Sequence, residues 1–129
     1  MKPSAAIAQL VAAGVPIGHI TMSSDGCGSL PSFDDAGELV KLETGEPASI
    51  FRESVDAVRD EGLPVDQAVR VVSTNVADIL KLPGKGHIAV GADADLAMLD
   101  EDLRLRDVIA GGQWMVRDGE VLRKGSFEA

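Results

Sequence analysis

The spacing of apolar residues predicts three helices in the first two thirds of the chain. Apolar side chains recur every three or four positions in residues 3–13, 49–61 and 64–82. Gly14 and Gly62 directly follow the first two segments, as glycine commonly does at the end of a helix. The third segment is expected to bend near residues 73–75, where polar side chains interrupt the pattern.

A mostly apolar segment at residues 15–22 is predicted to be a buried strand, and it runs into a glycine-rich polar loop at residues 23–29. This order is typical of the ligand-facing end of a parallel sheet. A parallel strand needs neighbours on both sides, and no other strand is predicted between the helices, so we expect the chain to be a fragment. Residues 30–48 are expected to form a long acidic loop. Its acidic residues are most simply solvated, and the alternative is that they repel or select charged substrates at the mouth of a site.

The last third of the chain changes to short apolar runs separated by turn residues. This pattern predicts strands at residues 86–90, 94–99, 105–110, 113–117 and 121–124. Asp118 and Gly119 lie between apolar residues, which is a strong signal for a two-residue hairpin turn. The expected order is therefore a helix, a strand and further helices, followed by a small antiparallel meander.

Composition and charge exclude several classes of protein. The 129 residues carry 12 Lys and Arg against 21 Asp and Glu, which gives a formal net charge of −9. Because an acidic surface repels phosphate, neither nucleic acid nor an anionic membrane is an expected partner. No apolar run approaches the roughly 20 residues of a membrane span. The single cysteine, Cys27, fits a reducing compartment, so a cytoplasmic location is expected.

Asp25 is the leading candidate for chemistry, because it lies in the polar loop just after the predicted strand. A carboxylate at the carboxyl end of a barrel strand can bind a metal ion or transfer a proton. The alternative is structural, because the sequence Ser-Ser-Asp-Gly commonly forms a turn in which Asp bonds to nearby backbone. From spacing alone the turn is the stronger interpretation.

The neighbours of this aspartate and the two histidines carry weaker signals. The stretch from Gly26 to Ser29 could offer backbone N–H groups and a hydroxyl to an anionic ligand. Cys27 is a weak candidate nucleophile, because no histidine stands in a recognisable relation to it. His19 and His87 have no neighbouring ligands, and local spacing assembles no metal site.

The second half of the chain resembles the segment that follows the barrel in the amidohydrolase superfamily. Residues 86–100 match the pattern G-x-I-x-x-G-x-x-A-D-L-x-x-x-D. Residues 108–119 are similar to the closing segment of that family through Gly111, Val116, Asp118 and Gly119. Residues 68–82 resemble the family's last barrel helix.

Residues 23–31 narrow the resemblance to isoaspartyl dipeptidases, which are also called beta-aspartyl dipeptidases. These residues are similar to the eighth-strand loop of that family, and the similarity extends to residues 33–35 and 124–128. Cys27 stands where the family pattern has Asn. The resemblance covers essentially the whole chain, aligned to the C-terminal third of such an enzyme.

The resemblance implies an α/β fold: the C-terminal part of a (β/α)₈ TIM barrel, followed by strands of a small β-sandwich domain. Residues 1–82 would form the end of the barrel, with the eighth strand, the catalytic loop and the last helices. Residues 83–129 would form the C-terminal strands of the small β domain. The resemblance also implies a homo-oligomer in the full-length parent.

The same resemblance implies a binuclear zinc centre and hydrolysis of the isopeptide bond in beta-aspartyl dipeptides. Asp25 would bind one zinc ion and act first as general base and then as general acid, and Ser29 would hold the substrate through its hydroxyl. The family's other ligands are an HxH pair, a bridging carboxylated lysine and two further histidines, and they have no counterpart in this sequence. The isolated chain is therefore expected to be inactive and to hold no zinc.

The alternative is a non-catalytic binding or scaffold module derived from an amidohydrolase C-terminus. A whole barrel takes roughly 250 residues, which is more than the 129 residues of this chain. The fragment interpretation is therefore preferred. The reading frame upstream of Met1 separates the two, because an HxH motif there supports the fragment.

Overall fold

The computed structural model describes residues 1–125. The chain divides into two compact units, Met1–Val76 and Ala77–Ala129. The predicted mixture of α-helices and β-strands is confirmed. The part of the family similarity that rests on residues 126–128 lies outside the described residues.

The helices of the first unit form where the apolar spacing predicts them. They are α1 (Pro3–Ala12), α2 (Ser49–Arg59) and α3 (Val65–Val72). A fourth helix, α4 (Thr74–Leu80), begins in this unit. The predicted bend is confirmed, because Ser73 leaves the helical conformation with φ −127° and ψ −82°. Gly14 follows α1 with φ +87°, a left-handed conformation that glycine adopts without steric cost.

The core of the first unit is small and aliphatic. Its buried members are Ile7, Ile20, Leu63 and Val71. The partly buried residues packed against them are Ala8, Val11, Val15, Ile17, Met22 and Val72. The core therefore joins α1, α3 and the irregular segment that precedes Asp25.

Residues 15–22 do not form a strand, so that prediction was wrong. Ile17–His19 form a short 3₁₀ turn, and Ile20 follows it in an extended conformation. A parallel strand is stabilised by hydrogen bonds to neighbours on both sides. Here a side chain takes that part instead, because Asn75 Nδ2 donates to the carbonyl oxygens of Ile17 (2.7 Å) and Ile20 (2.8 Å).

The predicted long loop at residues 30–48 was also wrong, because most of it is a β-hairpin. Strand β1 (Ser29–Phe33) pairs antiparallel with β2 (Leu39–Thr44). The turn between them is closed by Asp34, whose Oδ1 accepts hydrogen bonds from the backbone N–H groups of Ala36 and Glu38, each at 2.9 Å. An aspartate that bonds to nearby backbone is a turn signal, and Asp34 offered one in the sequence. The many acidic residues and glycines of this stretch led instead to the prediction of a loop without strands.

The second unit contains a four-stranded antiparallel meander in the order β3-β4-β5-β6. Its strands are β3 (Leu96–Leu99), β4 (Leu105–Ala110), β5 (Gln113–Arg117) and β6 (Glu120–Val121). The hairpin turn between β5 and β6 is confirmed, with φ +49° at Asp118 and +81° at Gly119. Positive φ at both central residues is the geometry that favours Asp-Gly.

The strand predicted at residues 86–90 is absent from the part of the chain that the structure describes. Its apolar side chains are not buried there, since Ile88 is 92% exposed and Val90 is 109% exposed. A strand is stabilised by pairing and by burial of one face. The apolar pattern of this segment is therefore not matched by a packing partner among residues 1–125.

An ion-pair cluster holds the loop before β3 in the second unit. Lys85 Nζ contacts the carboxylates of Asp93 (2.8 Å) and Asp95. The hydrogen bonds from Lys85 to these two carboxylates raise the pKa of its ammonium group to about 12. The hydrogen bond from Lys85 lowers the pKa of Asp95, and so does the one from the backbone N–H of Gly111.

Candidate functional site

The loop that carries Asp25 is a tight turn. The backbone N–H of Gly28 donates to the carbonyl oxygen of Asp25 at 2.8 Å, and that of Gly26 donates to Ser24 Oγ at 3.1 Å. Asp25 itself has φ +48°, and Cys27 has φ +64°. Aspartate tolerates this left-handed conformation better than most residues. The turn predicted from Ser-Ser-Asp-Gly is therefore present.

Two backbone hydrogen bonds of Gly45 connect this turn to the end of the hairpin. Its carbonyl oxygen accepts a hydrogen bond from the N–H of Cys27 (2.9 Å), and its own N–H donates to Gly28 O (2.8 Å). A Cβ atom on Gly45 would lie 2.2 Å from the carbonyl oxygen of Asp25. The backbones of the two segments therefore approach so closely that only glycine fits at this position.

Gly28 makes room for the side chain of Asp25 in the same way. A Cβ atom on Gly28 would lie 2.7 Å from Asp25 Oδ1. The carboxylate therefore lies over the bare backbone of Gly28. From the sequence, Gly28 was predicted only to offer its backbone N–H group to a ligand, and Gly45 was not identified as a functional residue. No signal in the sequence near Gly45 indicates which residues it contacts.

Asp25 and Ser29 are both exposed. Asp25 lies in the turn, and Ser29 is the first residue of the following strand, β1, where it is paired with Thr44. The carboxylate at the corner of the turn is thus accessible to a ligand, while the hydroxyl of Ser29 lies on a regular strand. The structural and chemical interpretations of Asp25 are compatible in this geometry.

An open cleft of about 340 Å³ adjoins the residue before Asp25. Its lining residues are Ser24, Leu30, Glu43, Thr44, Glu46, Ser49 and Arg52. Arg52 Nη2 lies 2.6 Å from Glu46 Oε2, and both side chains are largely exposed. The cleft is therefore lined by hydroxyl, carboxylate and guanidinium groups together with Leu30.

The other candidate residues are His19, Cys27 and His87. His19 ends the 3₁₀ turn and is exposed, and Cys27 is an exposed free thiol beside Asp25. His87 belongs to the second unit, where its Nε2 lies 3.4 Å from Asp78 Oδ1. Among residues 1–125, no three His, Cys, Asp or Glu side chains form a group that could hold a metal ion.

The helices of the described chain are also too short or too polar to cross a membrane.

Three comparisons relate the chain to known proteins. A model of the amidohydrolase family matches residues 2–116. The pterin deaminase of Rhizobium rhizogenes is 37% identical over 117 residues, which are 91% of this chain and 23% of that protein.

Solved structures extend the likeness to the fold. The beta-aspartyl dipeptidase of Fervidobacterium islandicum AW-1, in complex with a beta-Asp-Leu dipeptide, matches 97% of this chain and 33% of its own, with a TM-score of 0.83 and 36% identity. The N-acetylglucosamine-6-phosphate deacetylase of Pasteurella multocida matches 88% of this chain and 34% of its own, with a TM-score of 0.66 and 18% identity. The second likeness concerns the fold alone. The chain spans about a quarter to a third of the length of these relatives.

Proposed function

Because this chain belongs to the amidohydrolase family, we propose that it is the part of a beta-aspartyl dipeptidase that carries a proton-transferring aspartate, Asp25. The observation that carries this proposal is the likeness, in both backbone and sequence, to a beta-aspartyl dipeptidase over 97% of the chain. Residues 1–82 would contribute the end of a (β/α)₈ barrel, and residues 83–129 the strands of a small β domain.

The proposed reaction is hydrolysis of the amide bond formed by the side-chain carboxyl of an aspartyl residue. The oxygen of a water molecule bonds to the carbonyl carbon, and the bond from that carbon to the leaving nitrogen breaks. Asp25 takes a proton from the attacking water and gives it to the leaving nitrogen, so its carboxylate is regenerated at the end of the cycle. The exposed position of Asp25 at the corner of its turn supports this role, because substrate and water can reach the carboxylate.

Ser29 is proposed to hold the substrate rather than to transfer a proton. Ser29 is the first residue of β1 and is paired with Thr44, so the backbone that carries its hydroxyl is held in a strand next to the Asp25 turn. A hydroxyl can donate to a substrate carboxylate or accept from a substrate ammonium group.

Zinc does not fit the residues of this chain taken alone. A catalytic zinc ion normally has three protein ligands, whereas the described residues offer Asp25 without two companions. We therefore assign no step to a metal ion here. A zinc centre of the complete enzyme would need its remaining ligands from residues other than those described.

The test is an assay of the full open reading frame that encodes this chain. The purified protein is given beta-Asp-Leu, with the ordinary α-linked Asp-Leu as the matched peptide. We expect hydrolysis of the beta-linked dipeptide and little of the α-linked one. A folded wild-type protein that leaves beta-Asp-Leu intact contradicts the proposed substrate.

The role of Asp25 is tested by the variant Asp25→Asn, with Asp35→Asn as a control that removes another exposed carboxylate of the first unit. General acid–base catalysis contributes about 10²- to 10⁴-fold, so kcat should fall at least about 100-fold in Asp25→Asn. The control should keep kcat within about threefold. Near-normal turnover of Asp25→Asn would show that this residue only forms the turn.

A further inference from the structure

Asn75 holds the segment that leads to Asp25. It is the single asparagine of the chain and is only 2% exposed. Its Nδ2 donates to the carbonyl oxygens of Ile17 (2.7 Å) and Ile20 (2.8 Å), 58 and 55 residues earlier. One side-chain amide thus supplies two donors to a backbone segment that has no partner strand among the described residues.

Arg70 fixes the orientation of this amide. Arg70 Nε donates to Asn75 Oδ1 at 3.0 Å. If the amide were turned over, its NH₂ group would face the Arg70 donor and its oxygen would face two carbonyl oxygens. All three contacts would then be repulsive, so the observed orientation is the only one that satisfies the buried groups.

The held segment is continuous with the turn of Asp25. Ile20 is buried in the core and Met22 packs against it, and the turn from Ser24 to Gly28 follows directly. On its other side the turn is fastened by Gly45. The Asp25 turn is therefore held from both ends, by Asn75 upstream and by the hairpin downstream.

We infer that Asn75 is a positioning residue for Asp25: its two hydrogen bonds to Ile17 and Ile20 set the place from which the carboxylate reaches the substrate. This inference rests on the proposed function. Shape and hydrogen bonding can be separated at this position, because aspartate has the shape of asparagine and keeps an acceptor for Arg70, but as a carboxylate it has no donor for the two carbonyls.

The first measurement is amide hydrogen exchange in the 129-residue chain. The variants are Asn75→Ala and Asn75→Asp, and the matched control is Ser73→Ala, which removes the hydrogen bond from Ser73 Oγ to Val69 O (2.7 Å) at the same helix junction. In both Asn75 variants we expect exchange of the Cys27 amide to quicken about tenfold or more relative to the Ala57 amide of α2. The control should leave this ratio within about threefold.

The second measurement is steady-state kinetics of the full open reading frame with beta-Asp-Leu. Both Asn75 variants should lower kcat about tenfold while KM changes less than about threefold, because Ser29 stays paired in the hairpin. Ser73→Ala should change neither constant. A variant Asn75→Asp that behaves as wild type would show that only the shape of the side chain matters, and would overturn the inference.

The two proposals fail in different ways. A purely structural role for Asn75 would quicken exchange of the Cys27 and Ala57 amides equally, and an unchanged ratio therefore overturns the inference even if beta-Asp-Leu is hydrolysed. A wild-type protein that does not hydrolyse beta-Asp-Leu overturns the proposed function, and the exchange ratio then still decides whether Asn75 holds the Asp25 turn.

Discussion

Replacing Gly45 with alanine tests whether the Asp25 turn depends on a close backbone approach. The added Cβ would lie 2.2 Å from the carbonyl oxygen of Asp25, 2.9 Å from its carbonyl carbon and 3.1 Å from the carbonyl oxygen of Ser24. All three are backbone atoms, so no flexible side chain can move aside. We therefore expect the turn to separate from the hairpin in Gly45→Ala.

The magnitude follows from the contacts that this separation breaks. The hydrogen bonds from Cys27 N–H to Gly45 O and from Gly45 N–H to Gly28 O are lost, and each has a net value of about 0.5–1.5 kcal/mol. The loss is therefore about 1–3 kcal/mol. Alanine also restricts the unfolded chain, which offsets about 0.4–1 kcal/mol of that loss. The midpoints of these two ranges, about 2 and about 0.7 kcal/mol, give an expected net loss in the free energy of unfolding of about 1.3 kcal/mol.

Gly18→Ala is the matched control. Gly18 also lacks a positive φ, but the nearest atom to its added Cβ would be Arg70 Nη2 at 4.0 Å. This control carries the same restriction of the unfolded chain without the close contact, so it should be neutral or slightly stabilising. The difference between the two variants isolates the backbone approach at Gly45.

The assay is urea denaturation of both variants and the wild type, with exchange of the Cys27 amide as the local measurement. For an m-value of about 1–3 kcal/mol/M, a loss of about 1.3 kcal/mol should lower the midpoint of Gly45→Ala by about 0.4–1.3 M. A midpoint equal to that of Gly18→Ala, together with a Cys27 amide as protected as in wild type, would refute the reasoning.

Three further predictions concern the substrate, the metal and pH. Ser29→Ala in the full open reading frame should raise KM for beta-Asp-Leu about tenfold to a hundredfold with kcat nearly unchanged, because a hydrogen bond to a charged group is worth about 1.5–3 kcal/mol; Ser32→Ala is the control, and a loss confined to kcat would contradict the binding role. The 129-residue chain, dialysed after exposure to zinc, should keep well under one zinc ion per chain by elemental analysis, because three ligands do not come together among residues 1–125. One tightly held zinc ion per chain would show that residues of this chain do form a zinc site. Wild type should be more stable than Lys85→Met at pH 7, and this advantage should shrink as the pH falls below about 3.8, because protonation of Asp95, whose pKa is lowered in the folded chain, removes the ion pair. The advantage should also shrink as the pH rises towards 12, where Lys85 loses its proton. Equal advantages in thermal melts at pH 7 and pH 2 would contradict the role of this ion pair.

Local patterns in the sequence predicted the helices and the four strands β3 to β6 of the meander, but they also predicted a strand at residues 86–90 that is absent from the described chain. The apolar spacing within each of α1, α2 and α3 needs only the residues of that helix to be recognised, and glycines mark where α1 and α2 stop. Asp118 and Gly119 specify their hairpin turn through the positive φ that both residues adopt. The Asp25 turn was predicted for the same reason, since its conformation is set by four neighbouring residues.

Only the tertiary structure decided what residues 15–22 and 30–48 become. An apolar segment is a strand only where another segment pairs with it, and at residues 15–22 the side chain of Asn75 supplies the hydrogen bonds instead. Residues 30–48 contain a hairpin because β1 and β2 meet each other across the Asp34 turn.

Some residues of the candidate site could be predicted from the sequence, and others only from the folded structure. Motif and turn chemistry pointed to Asp25 and Ser29, because both lie within one short polar stretch of sequence. Gly45 and Asn75 stand about 20 and 50 residues further along, and nothing near them in sequence indicates what they contact. Their importance follows from a backbone approach and two hydrogen bonds that exist only when the chain is folded, since such contacts depend on which distant residues are brought together.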